Sequence, residues 1–124
     1  MVVCGTEQVS PECIKITSDA GLAFFIRKSY LKIVKIEEIV SGAEFFEEAE
    51  KDIVDAGLVM AVESKAMEYL ARAEQSRFGL TRKLILKNFP KEHIEIALDY
   101  LEAKNYLSDE RFAETRARVR SRTL

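Results

Sequence analysis

The sequence predicts a mainly α fold: a three-helix repeat bundle preceded by a small β-hairpin and an acidic amphipathic helix. Three observations lead there. Apolar residues recur at spacings of three and four from Phe45 to Leu101. Capping types, Ser76, Pro90 and Ser108, punctuate the later stretches. Nearer the start, two short runs rich in Ile and Phe flank Ser18-Asp19-Ala20-Gly21, a four-residue turn sequence. The expected division is residues 1–62 as a variable region of hairpin plus helix, 63–107 as a first three-helix repeat, and 108–124 as the first helix of a second, incomplete one.

Residues 1–12 hold Gly5, Ser10 and Pro11 without periodicity and read as a loose lead-in. Cys13–Thr17 and Leu22–Arg27 form the hairpin, with Ile14, Ile16, Phe24 and Ile26 on its apolar face. Two strands alone are marginal in water, so this face must lean on something helical. Ser29–Ile36 fits a helical stripe and an alternating strand equally, as short apolar runs do.

After Ser41-Gly42 the pattern is helical. Phe45, Phe46, Ala49, Ile53, Ala56 and Met60 share a stripe, with Glu47, Glu48, Glu50 and Asp52 outside it. The early glutamates suit the positive end of a helix dipole, and their spacing matches a solvated face rather than a metal site. Gly57 is the one residue there that could break the helix; nothing else signals a stop, so the helix can run on past Val62.

The next stripe is Ala66, Tyr69, Leu70 and Ala73. Ser76 then offers a capping oxygen to a second helix carrying Leu80, Leu84 and Ile85, which Asn88 can close. Pro90 can open a third, whose buried set is Ile94, Ala97, Leu98 and Leu101 and which ends near Asn105. Tyr106 and Leu107 cover the exit, and Ser108 caps a fourth helix with Asp109 and Glu110 in its first turn. Helices this short need tertiary packing, and connections of a few residues make sequence neighbours spatial neighbours.

Charge divides the chain. Residues 1–62 hold 6 Lys+Arg against 11 Asp+Glu, a net of −5; residues 63–124 hold 13 against 10, a net of +3. The basic excess is densest at Arg111, Arg116, Arg118, Arg120 and Arg122. On a helical wheel Arg111, Arg118 and Arg122 share one face and Arg116 and Arg120 another, with Phe112 and Val119 between. A second group is Arg72, Arg77, Arg82, Lys83 and Lys87. Arginine forks suit phosphate and carboxylate. The plainer alternative is a solvated surface with pairs such as Glu110 and Glu114 against Arg118.

Enzyme chemistry finds no support in the inventory, and no cofactor or metal is expected. The chain has no glycine-rich phosphate loop, no nucleophile elbow and no Cys/His metal spacing. His93 lies in the first turn of a helix, where a lone histidine is ordinarily surface. Cys4 and Cys13 read as two unrelated thiols. No apolar run approaches the roughly 20 residues that span a bilayer, and the start lacks a secretory pattern, so the expected compartment is the cytoplasm.

Over Ala66–Ala113 the chain resembles the RecX family, bacterial regulators of the recombinase RecA. The family's opening Ala-x-x-Tyr/Leu-Leu is Ala66, Tyr69 and Leu70 here. Its Ser-x-x-x-Leu-x-x-Lys-Leu segment is matched by Ser76, Leu80, Lys83 and Leu84. Its Leu-x-x-x-x-Tyr and Asp-x-x-Phe-Ala elements are matched by Leu101, Tyr106, Asp109, Phe112 and Ala113. Two positions depart. Gly79 stands where many members carry an acid that would complete a capping box with Ser76, and Ser108 replaces the first of an acidic pair.

The resemblance implies a protein that docks in the helical groove of a RecA–DNA filament and restrains growth, strand exchange and ATP turnover. Its contacts would fall on RecA, on single- or double-stranded DNA, or on both. Such chains carry three tandem three-helix repeats, so a shortened chain is expected here: Phe112 and Val119 await partners that a later helix would supply. Two other readings stay open. One is a stand-alone three-helix nucleic-acid-binding module, although the acidic residues Glu92, Glu95, Asp99 and Glu102 on its candidate reading helix oppose phosphate. The other is a helical adaptor that pairs through the Phe45–Met60 stripe.

Overall fold

The computed structural model describes the backbone of residues 1–123 and the side chains of residues 1–120. It comprises three strands, β1 (Val3–Ser10), β2 (Cys13–Ser18) and β3 (Ala23–Arg27), and four helices. These are α1 (Glu47–Arg72), α2 (Arg77–Leu86), α3 (Lys91–Ala103) and α4 (Asp109–Thr123). The chain forms two compact units, Met1–Ala61 and Val62–Leu124, and α1 contributes to both.

In the first unit the hairpin stands as read. β2 and β3 pair antiparallel with Ile14 opposite Ile26 and Ile16 opposite Phe24. Gly21 closes the turn at φ 80°, and its N–H donates to Ser18 O at 3.0 Å. The loose lead-in is corrected. Residues 3–10 are a third strand, antiparallel to β2 in the order β1-β2-β3. It escaped the periodicity because an edge strand with Cys4, Thr6, Glu7, Gln8 and Val9 all exposed buries almost nothing but Val3.

Ser29–Ile36 is neither helix nor strand. A 3-10 turn at Lys28–Tyr30 leads into irregular backbone and then a second 3-10 turn at Ile36–Glu38. The reason is Asp52, which the charge pattern placed on the solvated face and which is in fact buried. Its carboxylate accepts the N–H groups of Lys32 (3.0 Å), Ile33 (2.8 Å) and Val34 (2.9 Å). One side chain thereby replaces the hydrogen bonds that a helix or strand would have supplied. Burial alone would raise this carboxyl. The N–H groups of Val34, Lys32 and Ile33 and the charge of Lys32 outweigh it and hold Asp52 below its ordinary value.

Ile53, Ala56 and Met60 are buried as the stripe required, as is Phe45, which precedes the helix. Phe46 is corrected: it is 64% exposed, because the backbone at Glu47, at φ 50°, departs from the helical path that the stripe assumed. Gly57 does not break α1. A Cβ there would stand 2.6 Å from Phe24 Cδ2, so the glycine makes room for that ring.

The second unit follows its caps. Ser76 Oγ accepts the Gly79 N–H at 3.0 Å, and Ser108 Oγ accepts the Arg111 N–H at 3.2 Å. Asn88 and Asn105 take the left-handed conformation after α2 and α3, at φ 68° and 64°. Leu80, Leu84, Ile94, Ala97, Leu98 and Leu101 are all essentially inaccessible, with Val62, Ala66 and Leu107 beside them. Each fully buried leucine or isoleucine contributes about 1.5–3 kcal/mol. Ile85 is corrected: assigned to the core of α2, it is 46% exposed.

Candidate functional site

Nine of the ten basic positions have described side chains, and they sort into those engaged within the second unit and those that face outward. Arg77 is in the first set. Its guanidinium bridges to Asp99 Oδ1 at 2.8 Å and to Glu102 Oε1, both on α3. Burial works against its charge, yet the hydrogen bonds to Asp99 and Glu102 outweigh it and hold the group above its ordinary value. Arg77 sits at the first position of α2, so this fork fastens α2 to α3.

Arg111 plays the same part for α4. Nε pairs with Glu74 at 2.9 Å, one terminal nitrogen donates to Asn105 Oδ1 at 3.0 Å, and the other donates to Tyr106 O at 3.1 Å. All three nitrogens are thus engaged within the chain. The fork spans the α1–α2 connection, the α3–α4 connection and α4, which leaves little of it for a partner.

Lys83 is also held. Its Nζ donates to Gln75 Oε1 at 2.8 Å and stands 5.3 Å from the centre of the Tyr69 ring, where Lys65 approaches at 5.7 Å. Gln75 is buried, and its amide donates to Tyr69 O and Ala73 O at 3.4 Å each, closing the end of α1. The Lys83 charge is spent on orienting that cap.

The others face outward. Arg72, Arg82, Lys87, Arg116, Arg118 and Arg120 are exposed. Arg82 lies over the Phe78 ring at 5.9 Å, and Arg116 lies over Phe112 at 5.6 Å. The side chain of Arg122 lies outside the described residues. Along α4, the Phe112 and Val119 strip borders a groove of about 320 Å³ lined by Ala73, Glu74, Phe112, Thr115, Arg116, Val119 and Arg120. Arginine forks beside apolar side chains are the chemistry that suits an anionic group with an apolar neighbour.

Two residues went unread in the sequence. Phe78 and Leu86 on α2 are 73% and 79% exposed and flank Arg82 on its outward side. Their signal was present: α2 carries apolar residues on both sides of the helix, whereas a surface helix needs only one such side.

The RecX family's first three-helix domain matches residues 64–101. Over those residues the chain is similar to the RecX family's first three-helix domain. Relatives named Regulatory protein RecX match about half of the chain. The one from Pseudomonas entomophila is 47% identical over 62 residues, covering 50% of this chain and 40% of its own length. That from Pseudomonas fluorescens is 43% identical over 65 residues (52% and 42%), and that from Ralstonia pickettii 41% over 56 residues (45% and 35%). The chain therefore aligns with well under half the length of these curated relatives. A crystal structure of regulatory protein RecX superposes at TM-score 0.68 with 22% identity, over 95% of this chain and 57% of that one, and so shares the fold of the amino-terminal sheet as well as the helices. The matched residues 64–101 include Arg72, Arg77, Arg82, Lys83 and Lys87, while the arginines of α4 follow them. Among the described residues no helix is long and apolar enough to cross a membrane.

Proposed function

We propose that this chain is a regulator of RecA recombinase that binds the RecA–DNA filament and restrains its extension, ATP turnover and strand exchange in the cytoplasm. The observation that carries this reading is the RecX three-helix domain at residues 64–101. The arginine surface is compatible with it: Arg72, Arg82, Lys87, Arg116, Arg118 and Arg120 project where carboxylates of a protein filament or phosphates of DNA can meet them. Arg122 joins them by its place in the sequence. Arg77, Arg111 and Lys83 act instead as struts that hold the helices in register. On this reading residues 63–107 are the first repeat and residues 108–124 begin a second.

The test is growth of RecA on single-stranded DNA, followed by the signal of labelled RecA as filaments lengthen. Added chain slows extension, and the triple change R116A, R118A and R120A weakens that effect while leaving the helices folded. Extension at an unchanged rate under excess chain rules the proposal out.

A further inference from the structure

Among the described residues of the second unit, the outward side of α2 gathers the most exposed large apolar side chains. Leu80 and Leu84 point inward and are fully covered. At about 100° per residue, Ile85, Phe78, Arg82 and Leu86 fall together within an arc of about 100° on the opposite side. Three of the four are large and apolar, and they are 46%, 73% and 79% exposed in the order Ile85, Phe78, Leu86. A short helix that is apolar on both sides is normally covered on both.

Charge narrows the partner. None of the ten residues of α2 is acidic. The charge of Arg77 is answered by Asp99 and Glu102, and Lys83 is turned toward Gln75 and the Tyr69 ring, which leaves Arg82, with exposed Lys87 just past the helix end, as the charge beside the apolar face. The face is therefore apolar with a basic edge, and its complement is apolar with an acidic edge. α3 shows the contrast, exposing Glu92, Glu95, Asp99 and Glu102.

The choice between protein and nucleic acid rests on the apolar atoms. Single strands bind by stacking bases on open aromatic faces along a basic track. Here one ring, Phe78, is approached by the Arg82 guanidinium, and its neighbours Ile85 and Leu86 have no π face to offer. An aromatic ring and an arginine among aliphatic side chains, without carboxylates, is instead the composition of a protein-interface centre. We propose that Phe78, Arg82, Ile85 and Leu86 form a docking surface for an acidic protein partner with apolar sockets. This rests on the filament reading, and it assigns the protein of the filament, not its DNA, to this face.

The experiment labels the chain at Cys4, an exposed thiol on β1. Binding is followed by fluorescence anisotropy on RecA–single-stranded DNA filaments and, separately, on the same DNA alone. The double variant F78A/L86A changes two exposed positions, and its circular dichroism is compared with the parent. The expected result is filament binding weakened about tenfold or more, with DNA-only binding unchanged. A second variant, R82E, weakens filament binding likewise and R82K less so. Filament binding by F78A/L86A as tight as the parent's overturns the assignment. So does loss of DNA-only binding in step with filament binding, which makes the face a nucleic-acid surface. If the parent chain does not bind the filament at all, the filament reading falls and this assignment with it, an outcome distinct from either of the others.

Discussion

Asp109, the first residue of α4, accepts the backbone N–H of Arg77, the first residue of α2, at 2.7 Å. The contact joins residues 32 apart in the chain and places a carboxylate at the positive end of α2. Ser76 caps the same end by taking the Gly79 N–H. The glycine that departs from the family's capping box thus sits in a helix start with two acceptors, one of them lent by another helix. Replacing Asp109 by alanine should lower stability by about 1 kcal/mol, seen as a lower denaturant midpoint. Asn keeps the acceptor oxygen but not the charge, so D109N should lose only part of that.

Arg111 is expected to matter for stability and Arg118 for binding. R111A removes three hydrogen-bonding contacts, to Glu74, Asn105 and Tyr106. The site is half-exposed, so solvent screening reduces the cost to about 1–2 kcal/mol. R111K should recover little, because an ammonium cannot copy the fork. R118A, at an exposed position, should stay within about 0.5 kcal/mol of the parent. Equal midpoints for R111A and R118A would contradict this division.

Much of the helical part was legible because its determinants are local. Ser76, Asn88, Pro90, Asn105 and Ser108 act on backbone groups within four residues, and the stripe Ile94, Ala97, Leu98 and Leu101 needs only the helical period. What the sequence hid is long-range. The pairs Arg77–Glu102 and Arg111–Glu74 join residues 25 and 37 apart, and nothing in the spacing of an arginine reveals a carboxylate on another helix. β1 was hidden by its exposure, since a strand that buries one side chain leaves no alternation. Asp52 was hidden by its company, as one acid among Glu47, Glu48 and Glu50 at a helix start.

Asp52 carries a pH dependence. Its folded pKa lies below the unfolded value of 3.8. A depressed carboxyl contributes stability that is fully present above the unfolded value and is lost as pH falls through the folded one. D52A at neutral pH leaves the N–H groups of Lys32, Ile33 and Val34 without their acceptor, at a cost of about 2–4 kcal/mol. The gap between parent and D52N denaturation midpoints should be widest above about pH 5 and narrow below pH 3.8. A gap that stays constant down the pH series would show that the carboxylate charge contributes nothing.

Gly57 sets two effects against each other. Alanine would add about 1 kcal/mol of helix propensity, but its Cβ would meet the Phe24 ring at 2.6 Å. Overpacking of this kind costs about 1–3 kcal/mol, so G57A should be net destabilising. Combining it with Phe24→Leu should restore the propensity gain. A stabilised G57A single variant would mean that the ring moves aside freely.

The activity proposed for this chain is restraint of RecA. Its most direct test is ATP turnover by RecA on single-stranded DNA at fixed salt while the chain is titrated in. The expected result is a dose-dependent, saturable fall in turnover, blunted in F78A/L86A and in the arginine variants of α4. Turnover that stays flat with the chain in excess over RecA would contradict it.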